Sequence, residues 1–308
     1  MKEMVGKVQL NLSDYEGVDL YSDGDVEEEL LDIVRTHAPE EYEDVILERN
    51  SWAILYHLSK HRENILSWYP FKKNDTVLEV GAGCGAVTGA LLDKVQKVTA
   101  IELSKRRSMI NATRHSDRDN LEIRVGNFNI VEQHLEELYD YVTLIGVFEY
   151  AKLYMGCNEP YQMFLDKINS HLKDGGKILI AIENRMGLKY FAGCQEDHVG
   201  KYFEGVEGYS TTESVETFAK QELEQLLTHA GYDNYKFYYP YPDYKLPTTI
   251  YSDDVLPEKG ELYNNIRNFD SDRFVLFDET RAFDSMVSTG MFPMFSNSFF
   301  VEVEKKKK

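Results

Sequence analysis

The chain has 308 residues, 43% hydrophobic and 28% charged, which is enough for one large buried core or two smaller ones. Its 34 basic and 53 acidic side chains give a formal net charge of −19, which repels phosphate backbones and argues against a nucleic-acid partner. Because the chain has no run of about 18 apolar residues and no apolar signal core at its start, we expect a cytoplasmic protein without stable membrane insertion.

Residues 1–70 are predicted to form an N-terminal helical cover. Apolar residues recur at nearly helical spacing between Glu40 and Leu66, and Pro70 ends this pattern. His57 and His61 stand four residues apart within it, but no third ligand follows them. The sequence therefore predicts no metal site.

Residues 71–239 alternate short apolar runs with amphipathic stretches, which is typical of βαβ units around a parallel sheet. The runs predict strands at residues 76–80, 98–102, 121–125, 141–146, 177–182 and 235–239. The amphipathic stretches predict helices at residues 86–94, 105–115, 160–172 and 212–230. The last helix has a start signal at residues 211–214 and a stop signal at Gly231.

Residues 240–297 interrupt this alternation and are predicted to be an ordered insertion. They contain five of the eight prolines, and tyrosines crowd the neighbouring stretch 232–251. These tyrosines belong either to a core or to an aromatic platform for a sugar. Residues 298–304 then predict a closing strand, and residues 305–308 form a solvated lysine tail.

Glycines at alternate positions follow the first strand of the 71–239 segment. The sequence from Val77 to Ala86 reads VLEVGAGCGA, so the strand runs into a bare backbone and directly into a helix. Backbone N–H groups at such a helix start approach a phosphate or nucleoside closely. Glu102 ends the next strand, where its carboxylate can accept hydrogen bonds from both hydroxyls of a ribose. Together these features predict a nucleotide-cofactor site.

The glycine spacing alone leaves the nucleotide open. Gly81, Gly83 and Ala86 satisfy the G-x-G-x-x-A form of the dinucleotide fingerprint, so an NAD-dependent oxidoreductase stays an alternative. Glu79 lies inside the same apolar strand, where an unpaired carboxylate is costly to bury. A cationic sulfonium amino acid would pair with Glu79, whereas a pyrophosphate would be repelled.

With these features the chain resembles the class I S-adenosylmethionine-dependent methyltransferases, over about residues 45–239 and the closing strand. The resemblance implies a doubly wound, Rossmann-like α/β fold with a seven-stranded, mostly parallel sheet and an antiparallel last strand. It implies S-adenosylmethionine as cofactor, with the insertion on the acceptor side. The implied cofactor-binding residues are Glu79, Gly81, Ala82, Gly83, Cys84, Gly85, Glu102, Leu103, Asn127, Phe128 and Gly146. Asn127 stands where the family commonly has an acid, and its carbonyl can still accept a hydrogen bond from an adenine amine.

Two further segments, residues 181–198 and 238–244, resemble methyltransferase domains that accompany glycosyltransferases in bacterial surface-polysaccharide biosynthesis. This resemblance implies O-methylation of a glycan or another small-molecule acceptor, with a glycosyltransferase as possible associate. Residues 146–150 lack the Asn-Pro-Pro-Tyr motif of amine methylation, which agrees with the absence of a nucleic-acid partner. A non-catalytic S-adenosylmethionine-binding module that supports a glycosyltransferase remains a second alternative.

The acceptor side is expected in the loops beyond the carboxyl ends of the strands. Glu149 and His198 are the candidate catalytic residues there, because a hydroxyl acceptor benefits from a general base and histidine titrates near neutral pH. Tyr150, Glu183 and Asn184 are candidate substrate-binding residues. A solvated or structural role for Glu149 and His198 stays open.

Overall fold

The computed structural model describes residues 1–19, 21–212, 214–265 and 273–306. Parts of four predictions lie outside these residues: Leu20 in the N-terminal helical cover, Glu213 in the helix predicted at 212–230, residues 266–272 of the insertion, and residues 307–308 of the lysine tail. The chain divides into two compact units, the first formed by residues 1–144 and 171–176 and the second by residues 145–170 and 177–308.

Ten strands and thirteen α-helices occur in the described residues. The strands are β1 (Lys2–Val5), β2 (Val8–Asp14), β3 (Thr76–Val80), β4 (Lys97–Glu102), β5 (Leu121–Gly126), β6 (Tyr139–Ile145), β7 (Leu172–Glu183), β8 (Tyr235–Tyr241), β9 (Thr249–Ser252) and β10 (Ser298–Glu304). The helices of the first unit are α1 (Val26–Thr36), α2 (Tyr42–Arg49), α3 (Trp52–Leu58), α4 (Asn64–Ser67), α5 (Thr88–Leu92), α6 (Lys105–Arg114) and α7 (Phe128–Val131). Those of the second unit are α8 (Ala151–Met155), α9 (Pro160–Ser170), α10 (Leu188–Phe191), α11 (Lys220–His229), α12 (Glu279–Ser288) and α13 (Phe292–Phe295).

The first unit carries the Rossmann-like part of the fold. Its strands lie in the order β1-β2-β5-β4-β3-β6, and every neighbouring pair except β1 and β2 is parallel. The strand order reverses beside β3, and this reversal is where an open α/β sheet binds its ligand. The parallel pairing predicted for residues 76–145 is therefore confirmed.

The prediction of seven strands is wrong, because the described residues contain three more. Strands β1 and β2 lie in the segment predicted to be wholly helical, and β2 pairs in parallel with β5 through Leu10 and Ile123. Strand β9 lies in the insertion and pairs with β8. Local sequence does not report the pairing of β2 with β5, which lies more than one hundred residues later, whereas β1 and β9 pair with strands that neighbour them in the chain.

The second unit holds strands in the order β7-β10-β8-β9, all of them antiparallel to their neighbours. Strand β10 pairs Phe299 with Ile182 of β7 and Val301 with Phe237 of β8. The predicted antiparallel closing strand is thus confirmed. Tyrosines contribute to this unit's core, since Tyr241 and Tyr244 of the insertion and Tyr239 just before it are all buried.

Helix α11 begins at Lys220, eight residues later than the start predicted at residue 212. The side chain of Glu222 accepts the Ala219 N–H at 2.8 Å and so provides the cap. Before it, Val215 and Phe218 are buried, and Phe218 forms a parallel bridge with Asn184. Burial of this extended stretch therefore overrides the local start signal.

Helices α1, α2 and α3 pack against α6 and the glycine loop of the first unit. Their buried apolar residues form one cluster with Ile110 of α6 and with Cys84 in the glycine loop. This packing places the helical segment directly against the predicted cofactor loop. Within the described residues, no helix combines the length and apolar character that crossing a bilayer requires.

Candidate functional site

The glycine loop between β3 and α5 adopts a backbone that side chains disfavour. Gly81, Gly83 and Gly85 have φ values of 72°, 54° and 78°. A Cβ on Gly85 would lie 2.4 Å from Oδ1 of Asn111, so a larger residue would have to displace that side chain of α6. The N–H groups of Gly81 and Ala82 donate to the carbonyl of Ile101 at 2.8 and 3.1 Å. These bonds hold the loop against the end of β4.

Glu102 meets this loop through its side chain. It is 5% exposed, its Oε2 accepts the Gly83 N–H at 2.8 Å, and its Oε1 accepts the Ser104 N–H at 2.9 Å. Burial raises the pKa of this carboxyl, while Arg107 and the backbone donors oppose the increase. The structure thus brings the predicted loop and the predicted ribose acid into contact, while the ribose contact itself stays a prediction.

Glu79 is buried within β3 at 2% exposure. The hydroxyl of Thr88 donates to its Oε2 at 2.8 Å, and its Oε1 has no hydrogen-bond partner among the described residues. Burial raises the pKa of this carboxyl to about 8. An unpartnered, buried carboxylate oxygen beside a bare glycine loop suits the cationic group of the cofactor that the resemblance implies.

The remaining predicted cofactor residues lie at the carboxyl ends of their strands. Asn127 caps helix α7, where its Oδ1 accepts the Asn129 N–H at 3.0 Å, and Phe128 is buried. Leu103 follows Glu102 directly, and Gly146, with φ 67°, follows β6. Leu103, Asn127 and Gly146 thus each directly follow the last residue of a strand.

The sequence analysis did not identify Arg107, a buried cation beside the glycine loop. Its Nε donates to Oε1 of Glu27 at 2.8 Å, its Nη2 also pairs with Asp23, and its guanidinium stacks 4.4 Å from the ring centroid of Tyr21. Nη1 lies 3.9 Å from where a Cβ on Gly83 would stand. These contacts hold residues 21–27 beside the glycine loop. The signal in the sequence was weak: an arginine in the first turn of α6, with acidic partners some eighty residues earlier.

In the second unit the structure brings together Glu149, Glu183 and His198, three residues that the sequence nominated separately. His198 Nε2 lies 3.6 Å from Oε1 of Glu149 and 3.9 Å from Oε2 of Glu183. Both carboxylate side chains are 1% exposed, and the imidazole is 9% exposed. We call these three residues the acidic cluster.

Further charged groups surround the acidic cluster, and the sequence did not indicate them. Oε1 of Glu196 accepts the Nδ1–H of His198 at 3.0 Å, and the Lys245 ammonium lies 2.9 Å from Oε1 of Glu183. Lys245 also pairs with Asp197. Glu196 and Asp197 lie within the segment 181–198 and Lys245 directly follows the segment 238–244, but the sequence analysis assigned none of them a role.

The pKa values of the acidic cluster shift according to these neighbours. Burial raises the pKa of Glu149. Burial also acts to raise the pKa of Glu183, but the charges of Lys245 and His198 lower it overall. Burial acts to lower the pKa of His198, yet Glu183, Glu149 and Glu196 raise it well above its usual value.

The other nominated residues have different surroundings. The ring of Tyr150 packs edge-on against His198 with centroids 5.5 Å apart. The side-chain amide of Asn184 donates to the carbonyls of Met294 and Ser296, and its Oδ1 accepts the Met186 N–H. Because backbone groups occupy both ends of this amide, Asn184 joins two segments of the second unit.

Comparison with known proteins identifies the family. A model described as a methyltransferase domain matches residues 52–236. An uncharacterized methyltransferase of Staphylococcus carnosus is 30% identical over 151 residues, which cover 49% of this chain and 65% of that protein. The chain therefore spans less than two thirds of that relative's length.

Solved structures also resemble the chain. A SAM-dependent methyltransferase from Archaeoglobus fulgidus matches with a TM-score of 0.49 at 14% identity, covering 81% of this chain and 94% of that one. Phosphoethanolamine N-methyltransferase 2 of Haemonchus contortus, in complex with S-adenosyl-L-methionine, matches with a TM-score of 0.46 at 16% identity, covering 81% of this chain and 53% of that one.

Proposed function

Because this chain belongs to the methyltransferase-domain family, whose cofactor is S-adenosylmethionine, we propose that it transfers a methyl group to a hydroxyl of a sugar, glycan or other small molecule. The domain is a class I S-adenosylmethionine-dependent methyltransferase. The observation that carries the proposal is Glu102, whose buried carboxylate is held against the N–H of Gly83 in the bare glycine loop.

The first unit supplies the groups that would hold the cofactor. Glu102 would accept hydrogen bonds from the ribose hydroxyls, and the unpartnered Oε1 of Glu79 would face the ammonium group. The bare backbone of residues 81–85 lets the ligand approach closely, because no Cβ stands at its three glycines. Asn127 and Phe128 would border the adenine.

S-adenosylmethionine supplies a methyl group that its sulfonium already activates. The protein therefore has to orient the acceptor and exclude water, with little covalent work of its own. The acceptor oxygen forms its bond to the methyl carbon as the carbon–sulfur bond breaks, and the acceptor's proton must leave. We assign that proton to Oε2 of Glu149, which has no hydrogen-bond partner in the described part of the chain. His198 would orient the carboxylate, and Tyr150 would border the acceptor.

Four features support a hydroxyl acceptor of the sugar or glycan class. The segment after β6 lacks an amine-methylation motif, and the net charge of −19 disfavours nucleic acid. Residues 181–198 resemble methyltransferase domains that accompany glycosyltransferases, so a glycosyltransferase is the proposed partner. Carboxylates near an imidazole suit the removal of a hydroxyl proton better than the methylation of an amine that is already nucleophilic.

Calorimetric titration tests the cofactor, and a methylation assay tests the acceptor. We expect S-adenosylmethionine and S-adenosylhomocysteine to bind with one site per chain and NAD not to bind. With labelled cofactor and a panel of nucleotide sugars, glycosides and primary amines, we expect product only from hydroxyl acceptors. We expect Glu149→Gln to lower turnover about 100-fold. The matched control is Glu159→Gln, an exposed acid in the same segment.

Two results would overturn the proposal. Binding of NAD without binding of S-adenosylmethionine would favour an oxidoreductase. Methylation of amines alone would exclude the hydroxyl acceptor, and a Glu149→Gln variant as active as Glu159→Gln would remove Glu149 from its assigned role.

A further inference from the structure

We propose that Glu149, Glu183 and His198 bind one divalent first-row metal ion. Glu149 follows β6, Glu183 ends β7, and His198 lies in the loop after α10. One ligand atom from each residue lies within 4.8 Å of the other two. These residues also form part of the proposed acceptor side, so the inference adds a ligand to that same region, but metal binding by itself requires neither the cofactor nor the acceptor.

The distances within the acidic cluster suit ligands of a shared ion. His198 Nε2 lies 3.6 Å from Glu149 Oε1 and 3.9 Å from Glu183 Oε2, which is too long for direct hydrogen bonds. Metal bonds to nitrogen and oxygen measure about 2.0–2.2 Å, so two ligands of one ion lie roughly 3–4 Å apart. Both measured distances fall in that interval.

Both carboxylates of the acidic cluster bury an oxygen that lacks a hydrogen-bond partner among the described residues. Oε2 of Glu183 and Oε2 of Glu149 have no hydrogen-bond partner within the residues that the structure describes. The other oxygen of Glu183, Oε1, is paired with the Lys245 ammonium at 2.9 Å. An unsatisfied, buried carboxylate oxygen is costly, and a bound cation removes that cost.

Glu196 orients His198 in the way that outer groups orient metal-bound histidines. Its Oε1 lies 3.0 Å from Nδ1 of the imidazole, and since a carboxylate only accepts, the proton stands on Nδ1. In the neutral imidazole that binds a metal, the lone pair of Nε2 faces Glu149 and Glu183. The N–H groups of His198 and Val199 and the hydroxyl of Tyr209 hold Glu196 in turn. Such a carboxylate–histidine pair is the usual second layer of a metal site.

The charge around the acidic cluster is out of balance. Side chains no more than 14% exposed there include four carboxylates (Glu149, Glu183, Glu196, Asp197) and two ammonium groups (Lys189, Lys245). With a neutral imidazole this set is two positive charges short, and with an imidazolium it is still one short. Asp243, a quarter exposed and 3.9 Å from Lys189, adds to the excess of negative charge. A divalent cation corrects the imbalance.

The ligand types narrow the choice of metal ion. Imidazole nitrogen suits Zn²⁺ and Fe²⁺, and carboxylate oxygen suits Mn²⁺, so the mixed set fits these three ions better than Ca²⁺ or Mg²⁺. Three protein ligands leave at least one coordination position open to water or another oxygen ligand.

Binding of Mn²⁺ alone tests the inference. The full chain is treated with chelator, desalted and titrated with MnCl₂, with binding followed by calorimetry and by electron paramagnetic resonance. We expect one Mn²⁺ per chain and a nitrogen coupling in the pulsed spectrum from the imidazole ligand. His198→Asn should abolish the nitrogen coupling and weaken binding at least about 100-fold, and Glu196→Gln should weaken it about 10–100-fold.

His171→Asn is the matched control, because His171 is also buried and its Nε2 lies 3.3 Å from a carboxylate oxygen of Glu132. We expect this variant to bind Mn²⁺ like the unaltered chain. Circular dichroism establishes that each variant is folded. The inference is overturned if the unaltered chain binds no stoichiometric Mn²⁺, or if it binds without a nitrogen coupling. It is also overturned if a folded His198→Asn variant binds as tightly as His171→Asn.

The same measurements separate this inference from the proposed function. Mn²⁺ binding without methyl transfer to any acceptor would contradict the proposed function and support the metal site. Full methyl transfer by chelator-treated protein that binds no Mn²⁺ would support the proposed function and contradict the metal site.

Discussion

The glycine loop of the first unit and the acidic cluster of the second hold buried carboxylates by different means. Both oxygens of Glu102 accept backbone N–H groups, which act together with the charge of Arg107 to offset part of the cost of burial. Glu183 instead depends on side chains, with Lys245 on one oxygen and His198 3.9 Å from the other. Backbone compensation follows from a contiguous motif, whereas side-chain compensation requires residues from distant segments to meet. The two regions should therefore respond differently to substitution.

The largest effect is expected from Lys245→Met in the second unit. The change leaves the buried carboxylates of Glu183 and Asp197 without their shared cation, which costs about 3–5 kcal/mol of unfolding free energy. Chemical denaturation with a chelator present measures this loss. Lys152→Met is the control, because Lys152 pairs with Glu216 at the surface and such pairs contribute about 1 kcal/mol or less. Equal losses in the two variants would contradict side-chain compensation in the acidic cluster.

Glu102→Gln should weaken cofactor binding in the first unit about 100-fold. The amide removes the charge that strengthens two hydrogen bonds to a ribose, and each such bond contributes about 1.5–3 kcal/mol. Calorimetric titration with S-adenosylhomocysteine measures the change. Glu122→Gln serves as control, since Glu122 lies on the adjacent strand β5 and accepts the side-chain amide of Gln9. Nearly unchanged binding by Glu102→Gln would exclude the ribose role.

Gly85→Ala should lower the unfolding free energy by about 2 kcal/mol or more, because it combines backbone strain at φ 78° with a clash against Asn111. Gly156→Ala isolates the strain, since Gly156 has φ 60° and no atom within 4 Å of its added Cβ. That control should lose about 1 kcal/mol. Thermal unfolding of both variants measures the difference. If the two lose the same amount, packing against α6 does not shape the loop.

The most gradual effect is expected from Glu79, because its contribution to the unfolding free energy changes over several pH units. Its pKa in the folded protein is about 8, above the value of about 4.5 in an unfolded chain. The protonated carboxyl therefore stabilises the ligand-free fold fully below pH 4.5, and this contribution is lost as the pH rises through 8. The slope is at most about 1.4 kcal/mol per pH unit.

Denaturation of the ligand-free protein between pH 5 and 9, compared with Glu79→Gln, measures this slope. We expect the variant to gain stability relative to the unaltered chain as the pH rises. Parallel pH profiles for the two proteins would show that Glu79 keeps an ordinary pKa. Thr88→Val is a further comparison, since it removes only the hydroxyl that donates to Glu79.

The local pattern predicted the strands of the first unit well where burial on both faces produces a continuous apolar run. Strand β3 occupies residues 76–80 as predicted, and the other predicted strands differ from the observed ones mainly at their ends. Strand β2 was missed because its partner β5 lies more than one hundred residues later, and local periodicity does not report that pairing. The start of α11 was misplaced because burial of Phe218 decides where the helix begins.

The amino-acid sequence by itself determined the glycine loop and its two neighbouring acids. Alternate glycines after a buried strand permit positive φ values, and Glu102 ends the next parallel strand at the same edge of the sheet, so short-range geometry brings them together. Only the tertiary structure decided that Glu149, Glu183 and His198 meet, and that Glu196 and Lys245 surround them. The reason is physical: no backbone repeat relates these residues, and packing of separate segments alone determines how their buried charges are compensated.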